Sequence, residues 1–347
     1  MLNPLKSLKS KVLAVSCDCI IFVTVIDPCC GSGGMFIQST DLVRAKKGDI
    51  SRINVYGQEK EAATWRLAKM NLALRGISHN LSTTSDSSFT NDLHRGLYFD
   101  YIMANPPFNL KGWWDPNLSR DARWTDYAIP PASNANYAWI LHILHHLKPL
   151  TGVAGFLLSN GALADSDAKE IRRKLIENDK IEAIIILPRE LFITTDISVT
   201  LWILNQNKRG GDYHGRILRN RAGEILFMDL RSWRENTVKN EGKKKVMLDS
   251  RQIEKAAYIY HTWQEIGAVG IEYAKPELYR SVGCSEIAEN DYSLVPSNYI
   301  EFIDHDLDID YPAEMAKVQE RMKALITREK KSQEKLMAAF KGIGYEI

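Results

Sequence analysis

An apolar run that ends in Asn-Pro-Pro-Phe constrains the fold of this chain more than any other feature. Residues 99–104, FDYIMA, have the composition of a buried parallel strand, and Asn105, Pro106, Pro107 and Phe108 follow directly. The prolines fix φ and carry no backbone donor, so the local carbonyl oxygens remain available as acceptors. The Asn105 amide supplies a further acceptor, and Phe108 supplies an aromatic face. Such a turn can hold a planar group that carries an exocyclic amine.

A glycine-rich turn upstream supports this interpretation. Residues 23–26 have the pattern of a strand, residues 27–34, DPCCGSGG, let the backbone turn tightly, and a helix is predicted to begin at Met35. The spacing fits a nucleoside cofactor at the carboxyl end of a strand, and it matches neither the dinucleotide fingerprint nor a P-loop. A lone Asn-Pro-Pro is more simply a turn, but the two features together favour a binding site.

An acidic residue follows the second predicted strand. Residues 53–56 are followed by Gly57, Gln58 and Glu59. In a doubly wound sheet, an acidic side chain at this place holds the ribose hydroxyls of a nucleotide. The alternative is that Glu59 only stabilises a helix N-terminus through the helix dipole. The neighbouring glycine turn favours the ribose.

Six segments of the chain resemble the methylation (M) subunit of type I restriction-modification systems, which are N6-adenine DNA methyltransferases that use S-adenosylmethionine. The resemblance covers most of residues 23–232 and, more loosely, the C-terminal part. The segments that carry it are 27–39, 57–76 (GQEKEAATWRLAKMNLALRG), 99–109 (FDYIMANPPFN), 134–148 (NANYAWILHILHHLK), 187–192 (LPRELF) and 199–204 (VTLWIL).

The resemblance implies two groups of site residues. One group binds the cofactor, with the glycine turn at its methionine end, Glu59 at its ribose and an acid-containing loop near its adenine. The expected members of that group are Asp27, Cys29, Gly31, Ser32, Gly33, Glu59, Asp86 and Phe89. The second group engages a flipped-out adenine, whose extrusion from the duplex costs a few kcal/mol. Its expected members are Asn105, Pro106, Pro107 and Phe108.

Phe192 is a further candidate for the site. It follows the sixth predicted strand, where it could offer a second aromatic face to the extruded base. A role in the hydrophobic core is equally consistent with its position.

The resemblance implies an α/β fold with a doubly wound, mostly parallel, seven-stranded methyltransferase sheet of Rossmann-like type. We expect an atypical leader at residues 1–22, a methyltransferase domain at 23–232, and a mostly helical C-terminal extension at 233–347 that ends in a long helix. Because the link between segments 181–187 and 199–204 is too short for a crossover helix, we expect these two strands to pair antiparallel at the sheet edge.

The expected function is a site-specific adenine-N6 DNA methyltransferase subunit, with DNA, a specificity subunit and a restriction subunit as partners. Two alternatives remain open. Asn-Pro-Pro-aromatic turns also occur in methyltransferases that act on RNA or on protein glutamine. The other alternative is a shortened subunit that folds but transfers no methyl group.

The start of the chain departs from the family. M subunits carry a helical domain and a Phe-x-Thr-Pro-like segment before the glycine turn, and residues 1–22 contain neither, so we expect a shortened chain. A basic stretch followed by an apolar one resembles a secretory signal, but it lacks a clear cleavage site. The apolar stretch is also shorter than the ~20 residues that a membrane span needs.

Composition and charge narrow the remaining possibilities. A formal net charge of +2 means that affinity for DNA must come from local patches or from a partner. Five cysteines without zinc-ligand spacing fit a reducing cytoplasm, and we expect a cytoplasmic protein without a membrane segment. His142, His145 and His146 lie at helical spacing without an acidic partner in the metalloprotease pattern, so no metal site is expected.

The segment 111–136 contains tryptophans and arginines that alternate with polar residues, and it is long for a loop within a domain. Such a composition suits a surface that grips an unstacked nucleic-acid strand. The alternative is a lid that packs on its own tryptophans, and both interpretations can hold together.

Overall fold

The computed structural model describes residues 23–45, 48–192, 196–213, 215–240, 243–265, 273–303 and 311–342. The expected leader at residues 1–22 lies outside this part of the chain. The chain divides into two compact units, Met1–Glu301 and Phe302–Ile347. A long helix, Tyr311–Gly342, forms the described part of the second unit beyond residue 303.

The described strands, in chain order, are β1 Val23–Asp27, β2 Ile53–Gly57, β3 His79–Asn80, β4 Tyr101–Ala104, β5 Val153–Ser159, β6 Ile181–Ile186, β7 Val199–Asn205, β8 Gly211–Tyr213, β9 Arg216–Leu218, β10 Glu224–Asp229, β11 Thr237–Asn240, β12 Lys243–Val246, β13 Ala274–Lys275 and β14 Tyr279–Gly283. The described α-helices are α1 Gly34–Ala45, α2 Ala62–Ala73, α3 Asn136–His146, α4 Lys169–Glu177, α5 Ser250–Gln264, α6 Cys284–Glu289 and α7 Tyr311–Gly342.

Ten strands form one sheet in the order β13-β14-β10-β6-β7-β5-β4-β1-β2-β3. Strands β1 to β5 pair in parallel, which confirms the predicted doubly wound α/β fold. The predicted count of seven strands is not confirmed: the sheet has ten strands, because β10, β14 and β13 extend it beyond β6. The remaining described strands form two hairpins, β8-β9 and β11-β12.

The antiparallel pairing of β6 with β7 is confirmed, but its predicted location at the sheet edge is wrong. Strand β7 lies inside the sheet, where it pairs antiparallel with β5 on one side and with β6 on the other. All seven residues of β7 are buried. A strand this rich in apolar residues is stable where neighbours cover both of its edges and both of its faces.

The sheet continues beyond residue 232, because β14 pairs antiparallel with β10 in the register Ile225↔Val282. The C-terminal part therefore contributes strands to the sheet as well as helices. Helix α7 provides the long helix that was expected near the C-terminus. The predicted domain boundary at residue 232 stays a prediction.

The core lies on both faces of the sheet, because side chains alternate along each strand. Ile26 and Ile102 belong to a cluster that includes most of α3, whereas Val25 and Tyr101 belong to a cluster that includes α5. Because β1, β2 and β4 run in parallel, their carboxyl ends lie together at one end of the sheet. Within the described residues, no helix combines the length and the apolar character that crossing a membrane requires.

Candidate functional site

The glycine turn begins where β1 ends. The Cys29 backbone N–H donates to Oδ1 of the buried Asp27 at 3.0 Å, and the Gly33 N–H donates to the Cys30 carbonyl oxygen at 2.9 Å. Gly31 and Gly33 have φ of +54° and +78°, where a residue with a Cβ is strained. A Cβ on Gly31 would contact no atom within 4 Å, so open space lies beside the backbone at this position.

The outer part of the turn lies against α2. The side-chain nitrogen of Asn71 donates to the carbonyl oxygen of the exposed Ser32 at 2.9 Å. A Cβ on Gly33 would lie 3.5 Å from Cγ of Leu72. The turn is therefore supported by the helix that follows β2, while its inner side is open.

Glu59 closes one side of this turn. Its Oε2 accepts from the Gly31 N–H at 2.9 Å, and its Oε1 accepts from the Glu61 N–H at 2.9 Å. Each oxygen retains a lone pair for a ligand hydroxyl. The second contact lies at the start of α2, so the helix-terminus role considered from the sequence is compatible with a role in binding.

Negative charge surrounds the inner face of the turn. Burial, followed by the charges of Asp27 and Glu59, raises the pKa of the Cys30 thiol far above its ordinary value. Cys30 is therefore a protonated, buried thiol and not a nucleophile. The same negative field favours a ligand that carries positive charge.

The loop that contains Asp86 lies beside Glu59. The Asp86 N–H donates to the Glu59 carbonyl oxygen at 3.1 Å, and the Asn91 side chain donates to Oδ2 of Asp86 at 2.7 Å. Gln58 fixes this arrangement, because its Nε2 donates to the carbonyl oxygens of Asp86 and Asn91 at 3.1 and 2.8 Å. Gln58 is not among the site residues expected from the sequence, although its position between Gly57 and Glu59 is a usable signal.

Phe89 belongs to this loop, and its side chain is 3% exposed. Its ring centroid is 4.3 Å from that of Trp139 and 5.0 Å from that of Trp113. Ser88, the residue before it, donates from Oγ to the Pro28 carbonyl oxygen in the glycine turn. Phe89 supports the loop from the core, and its assigned contact with a cofactor stays a prediction.

The Asn-Pro-Pro-Phe turn follows β4, the neighbour of β1. Because β1 and β4 are parallel neighbours with Ile26 paired to Ile102, Asn105 leaves the sheet at the same end as the glycine turn. Asn105 and Pro107 are exposed, Pro106 is buried and Phe108 is half-buried. Among the described residues, none is hydrogen-bonded to the Asn105 amide, so its oxygen can accept from a ligand.

Phe192 lies against Phe108, with ring centroids 5.6 Å apart and an edge-to-face angle of 71°. Both rings pack on the edge of the buried cluster that includes β7, and both keep partial exposure. The two roles weighed for Phe192, core packing and an aromatic face at the site, are therefore compatible.

Asn109 fixes the exit of the Asn-Pro-Pro-Phe turn. Its Oδ1 accepts from Nδ2 of Asn136 and from Oγ of Ser159, both at 2.8 Å, while its N–H donates to Oδ1 of Asn136 at 3.1 Å. The backbone of Asn109 is left-handed, with φ of +51°. Sequence reasoning missed Asn136 and Ser159, because only the fold brings α3 and the end of β5 to this turn.

An open cavity of about 530 Å³ lies beyond the turn. Its wall comes from the ends of β5 and β7 and from the link between β6 and β7. The lining residues are Asn109, Ser159, Asn160, Gly161, Arg189, Asp196, Ile197 and Ser198.

The segment 111–136 is largely a packed lid. Trp113 and Trp124 are 5% and 3% exposed, and Arg123 is 7% exposed. The alternative of a lid that packs on its own tryptophans therefore holds for these three side chains, because their rings and guanidinium are enclosed by protein. Trp114 is half-buried and packs edge-to-face on Trp113, with ring centroids 5.4 Å apart.

Asp92, His142 and His146 bring metal-ligand atoms within 4.8 Å of one another. However, burial lowers the pKa of His142 well below its ordinary value, and Nδ1 of this neutral ring accepts from Arg123 at 2.9 Å. Its hydrogen is therefore on Nε2, which leaves no lone pair for a metal. His146 pairs directly with Asp92 at 2.8 Å. We interpret this group as a buried hydrogen-bond network.

The sheet order and the two adjacent turns define the class: a doubly wound α/β protein of the methyltransferase type. A family model described as N-6 DNA methylase matches residues 10–307, and the chain belongs to this family. The resemblance inferred from the sequence motifs is thereby confirmed.

Curated relatives are named as type I restriction enzyme methylase subunits. The HindI subunit of Haemophilus influenzae is 34% identical over 327 residues, which cover 93% of this chain and 69% of the relative. The MjaIX subunit of Methanocaldococcus jannaschii is 32% identical over 336 residues, which cover 93% of this chain and 56% of the relative. The chain thus spans only part of the length of the relatives that it matches.

Solved structures share the fold. The methyltransferase subunit of a type I restriction-modification system from Streptococcus thermophilus superposes with a TM-score of 0.70 at 24% identity, covering 87% of this chain and 59% of that one. The M protein of the type I enzyme EcoKI superposes with a TM-score of 0.62 at 18% identity, covering 95% and 72%.

Proposed function

We propose that this chain is an adenine-N6 DNA methyltransferase subunit of a type I restriction-modification system, with S-adenosylmethionine as the methyl donor. The observation that carries the proposal is that two turns lie next to each other at the carboxyl ends of neighbouring parallel strands. Glu59 and the glycine turn form one side, and Asn105 to Phe108 form the other. Membership of the N-6 DNA methylase family makes adenine in DNA the favoured acceptor.

The residues of the glycine turn fit S-adenosylmethionine. Open space beside Gly31 allows the backbone to approach a ligand, and Glu59 has acceptor positions for the ribose hydroxyls. The negative field of Asp27 and Glu59 favours the positively charged sulfonium and ammonium groups. When bound, the cofactor supplies an activated methyl group. Asp86 and its loop would lie near the adenine end.

Asn105 and Phe108 would bind the acceptor base. The Asn105 amide oxygen and the Pro106 carbonyl oxygen accept hydrogen bonds from the exocyclic amine, which increases electron density on its nitrogen. Phe108 and Phe192 offer ring surfaces against which the extruded base packs. These contacts hold the amine in line for attack, so positioning supplies most of the rate enhancement and no covalent enzyme intermediate is needed.

We further propose that the chain works in the cytoplasm with a specificity subunit and a restriction subunit. Helix α7 carries apolar side chains at helical spacing, and these are between 45% and 63% exposed. The side chains are Met315, Val318, Met322, Leu325, Ile326 and Leu336. Such a stripe can pack against a partner helix, and we propose that this helix belongs to the specificity subunit. Changing Met322 and Leu325 to Glu should abolish co-purification with that subunit while S-adenosylmethionine binding is retained.

Methyl transfer from labelled S-adenosylmethionine tests the function directly. DNA, RNA and protein are offered separately to the chain and to Asn105→Ala, with the specificity subunit present. We expect label on DNA adenine with the parent chain and loss of label by at least about 100-fold with Asn105→Ala. Calorimetry should give nearly equal cofactor affinity for both. Label on RNA or protein would refute the assignment of DNA as the substrate. A well-folded chain that binds no cofactor would refute the assignment of the chain as an enzyme.

A further inference from the structure

Arg123 is a buried arginine whose donors all point into the protein. Its Nε and Nη2 donate to the two carboxylate oxygens of Asp121 at 2.8 and 2.7 Å, and Nη1 donates to Nδ1 of His142 at 2.9 Å. The remaining contacts reach the loop at residues 86–91. Nη1 donates to the Ser88 carbonyl oxygen at 2.8 Å, and Nη2 donates to the carbonyl oxygen of Phe89.

The Ser88 contact extends to the glycine turn. The carbonyl oxygen of Ser88 accepts from Arg123, while its hydroxyl donates to the carbonyl oxygen of Pro28. Pro28 directly follows Asp27 at the end of β1. A continuous path of hydrogen bonds therefore leads from the lid segment, through one residue of the loop, to the turn that faces the open site.

The loop is held from two opposite sides. Gln58 donates to the carbonyl oxygen of Asp86 from the end of β2, and Arg123 donates to the carbonyl oxygens of Ser88 and Phe89 from the lid. A guanidinium can satisfy two adjacent carbonyl oxygens and a carboxylate at once, because its five donors lie in one plane. A lysine ammonium cannot reproduce this pattern.

We propose that Arg123 is a positioning residue for S-adenosylmethionine binding, acting through Ser88 on the glycine turn and through the loop on Asp86. This inference rests on the proposed function. Arg123 is 7% exposed and does not contact the open site itself. Its effect on the cofactor is exerted by the backbone that it holds, in the geometry that binding requires.

Arg123→Lys and Ser88→Ala test the inference, with Arg172→Lys as the matched control. Arg172 is also buried, at 2% exposure, and also donates to two backbone carbonyl oxygens, those of Asp165 and Tyr292, each at 2.7 Å. Its replacement should therefore lower stability by a similar amount, but away from the site. Dissociation constants for S-adenosylmethionine are measured by calorimetry and unfolding midpoints by heat.

We expect the dissociation constant to rise about tenfold in Arg123→Lys and several-fold in Ser88→Ala, with no change in Arg172→Lys. In the double variant Arg123→Lys, Ser88→Ala, the loss of binding free energy for S-adenosylmethionine should be smaller than the sum of the two single losses, because both residues act on one path. If Arg123→Lys does not fold, Ser88→Ala decides the inference on its own.

Two results would overturn this inference but leave the proposed function intact. One is parental affinity for S-adenosylmethionine in folded Arg123→Lys and Ser88→Ala, and the other is an equal loss of that affinity in Arg172→Lys. A parent chain that binds no S-adenosylmethionine contradicts the proposed function and, with it, this inference. The two failures are distinguished by the parent measurement.

Discussion

Phe108 and Phe192 meet edge-to-face, with ring centroids 5.6 Å apart, although they belong to segments that follow different strands of the sheet. Phe108 follows β4, and Phe192 lies in the link between β6 and β7. The carboxyl ends of β4 and β6 lie at the same end of the sheet, because β4, β5 and β6 run in the same direction. The fold thereby brings the Phe192 ring to the turn that begins at Asn105.

The aromatic pair gives the first prediction. Phe108→Ala and Phe192→Ala should each raise the KM for DNA by roughly tenfold to a hundredfold, since stacking on an aromatic ring contributes about 1–3 kcal/mol per base. Steady-state methylation assays measure this. The exposed Tyr98, at the other end of β4, is the matched control, and Tyr98→Ala should keep the parental KM. Equal KM values in all three variants would contradict base stacking at this pair.

Glu59 gives the second prediction. Glu59→Gln should weaken S-adenosylmethionine binding by roughly tenfold, because hydrogen bonds to a charged acceptor contribute about 1.5–3 kcal/mol. Glu61→Gln is the control, as Glu61 is exposed and only its backbone contacts Glu59. Calorimetry measures both affinities. The assignment fails if the two variants bind the cofactor equally well.

The Asn109–Asn136 pair gives the third prediction. Asn136→Ala removes two hydrogen bonds: the Asn109 N–H loses its acceptor, and the Asn109 Oδ1 keeps only the Ser159 hydroxyl as a donor. We therefore expect a loss of about 1–3 kcal/mol in unfolding free energy and a lower kcat. Cofactor affinity should be unchanged, because the glycine turn is not involved.

Two substitutions at Asn109 separate its side chain from its backbone. Asn109→Gly removes only the amide, whereas Asn109→Ala also strains a left-handed backbone by about 1 kcal/mol. Ala should therefore be the less stable of the two in heat or denaturant unfolding. Unaltered kcat in all three variants would show that this pair does not position the catalytic turn.

Acid stability gives the fourth prediction. Burial, then the nearby charge of His146 and of Arg123, lowers the pKa of His142 well below its ordinary value of about 6.5. Below about pH 6.5 the unfolded chain takes up a proton at this ring that the folded chain does not, so stability falls as the pH decreases.

His142→Asn isolates this contribution, because the Asn oxygen can accept from Arg123 in place of Nδ1 and does not titrate. The unfolding midpoint of the variant should fall less than that of the parent between roughly pH 7.5 and 5.5. Asp92 acts in a different window. Although burial raises its pKa, the hydrogen bond from His146 and neighbouring charge lower it overall, so its contribution is lost only below about pH 4. Parallel pH profiles for parent and variant would contradict the His142 assignment.

Much of the fold could be predicted, because the strands are short apolar runs bounded by turn residues. Residues 23–26 and 99–104 were predicted as strands; the structure has β1 at Val23–Asp27 and β4 at Tyr101–Ala104, and the two pair in parallel. The position of β7 could not be predicted in the same way. Its apolar residues are compatible with any buried strand, and only the pairing with β5 and β6 decides that it lies inside the sheet.

The candidate site shows the same division. Glu59 was predicted from the end of its strand, and the structure brings its carboxylate to the Gly31 N–H at 2.9 Å. The role of Arg123 could not be predicted, because a tryptophan-rich and arginine-rich segment has the same composition whether it faces nucleic acid or packs on itself. The choice depends on Ser88 and His142, which lie far from Arg123 in sequence.

The amino-acid sequence by itself determined the two turns, since glycine at positive φ and proline at fixed φ are local properties of the backbone. It also determined which segments are apolar enough to become strands. Only the tertiary structure decided which strands are neighbours, that Phe108 meets Phe192, and that Arg123 reaches the loop beside the glycine turn. These contacts join residues distant in the chain, and they form only because burying both faces of one sheet selects a single arrangement of its strands.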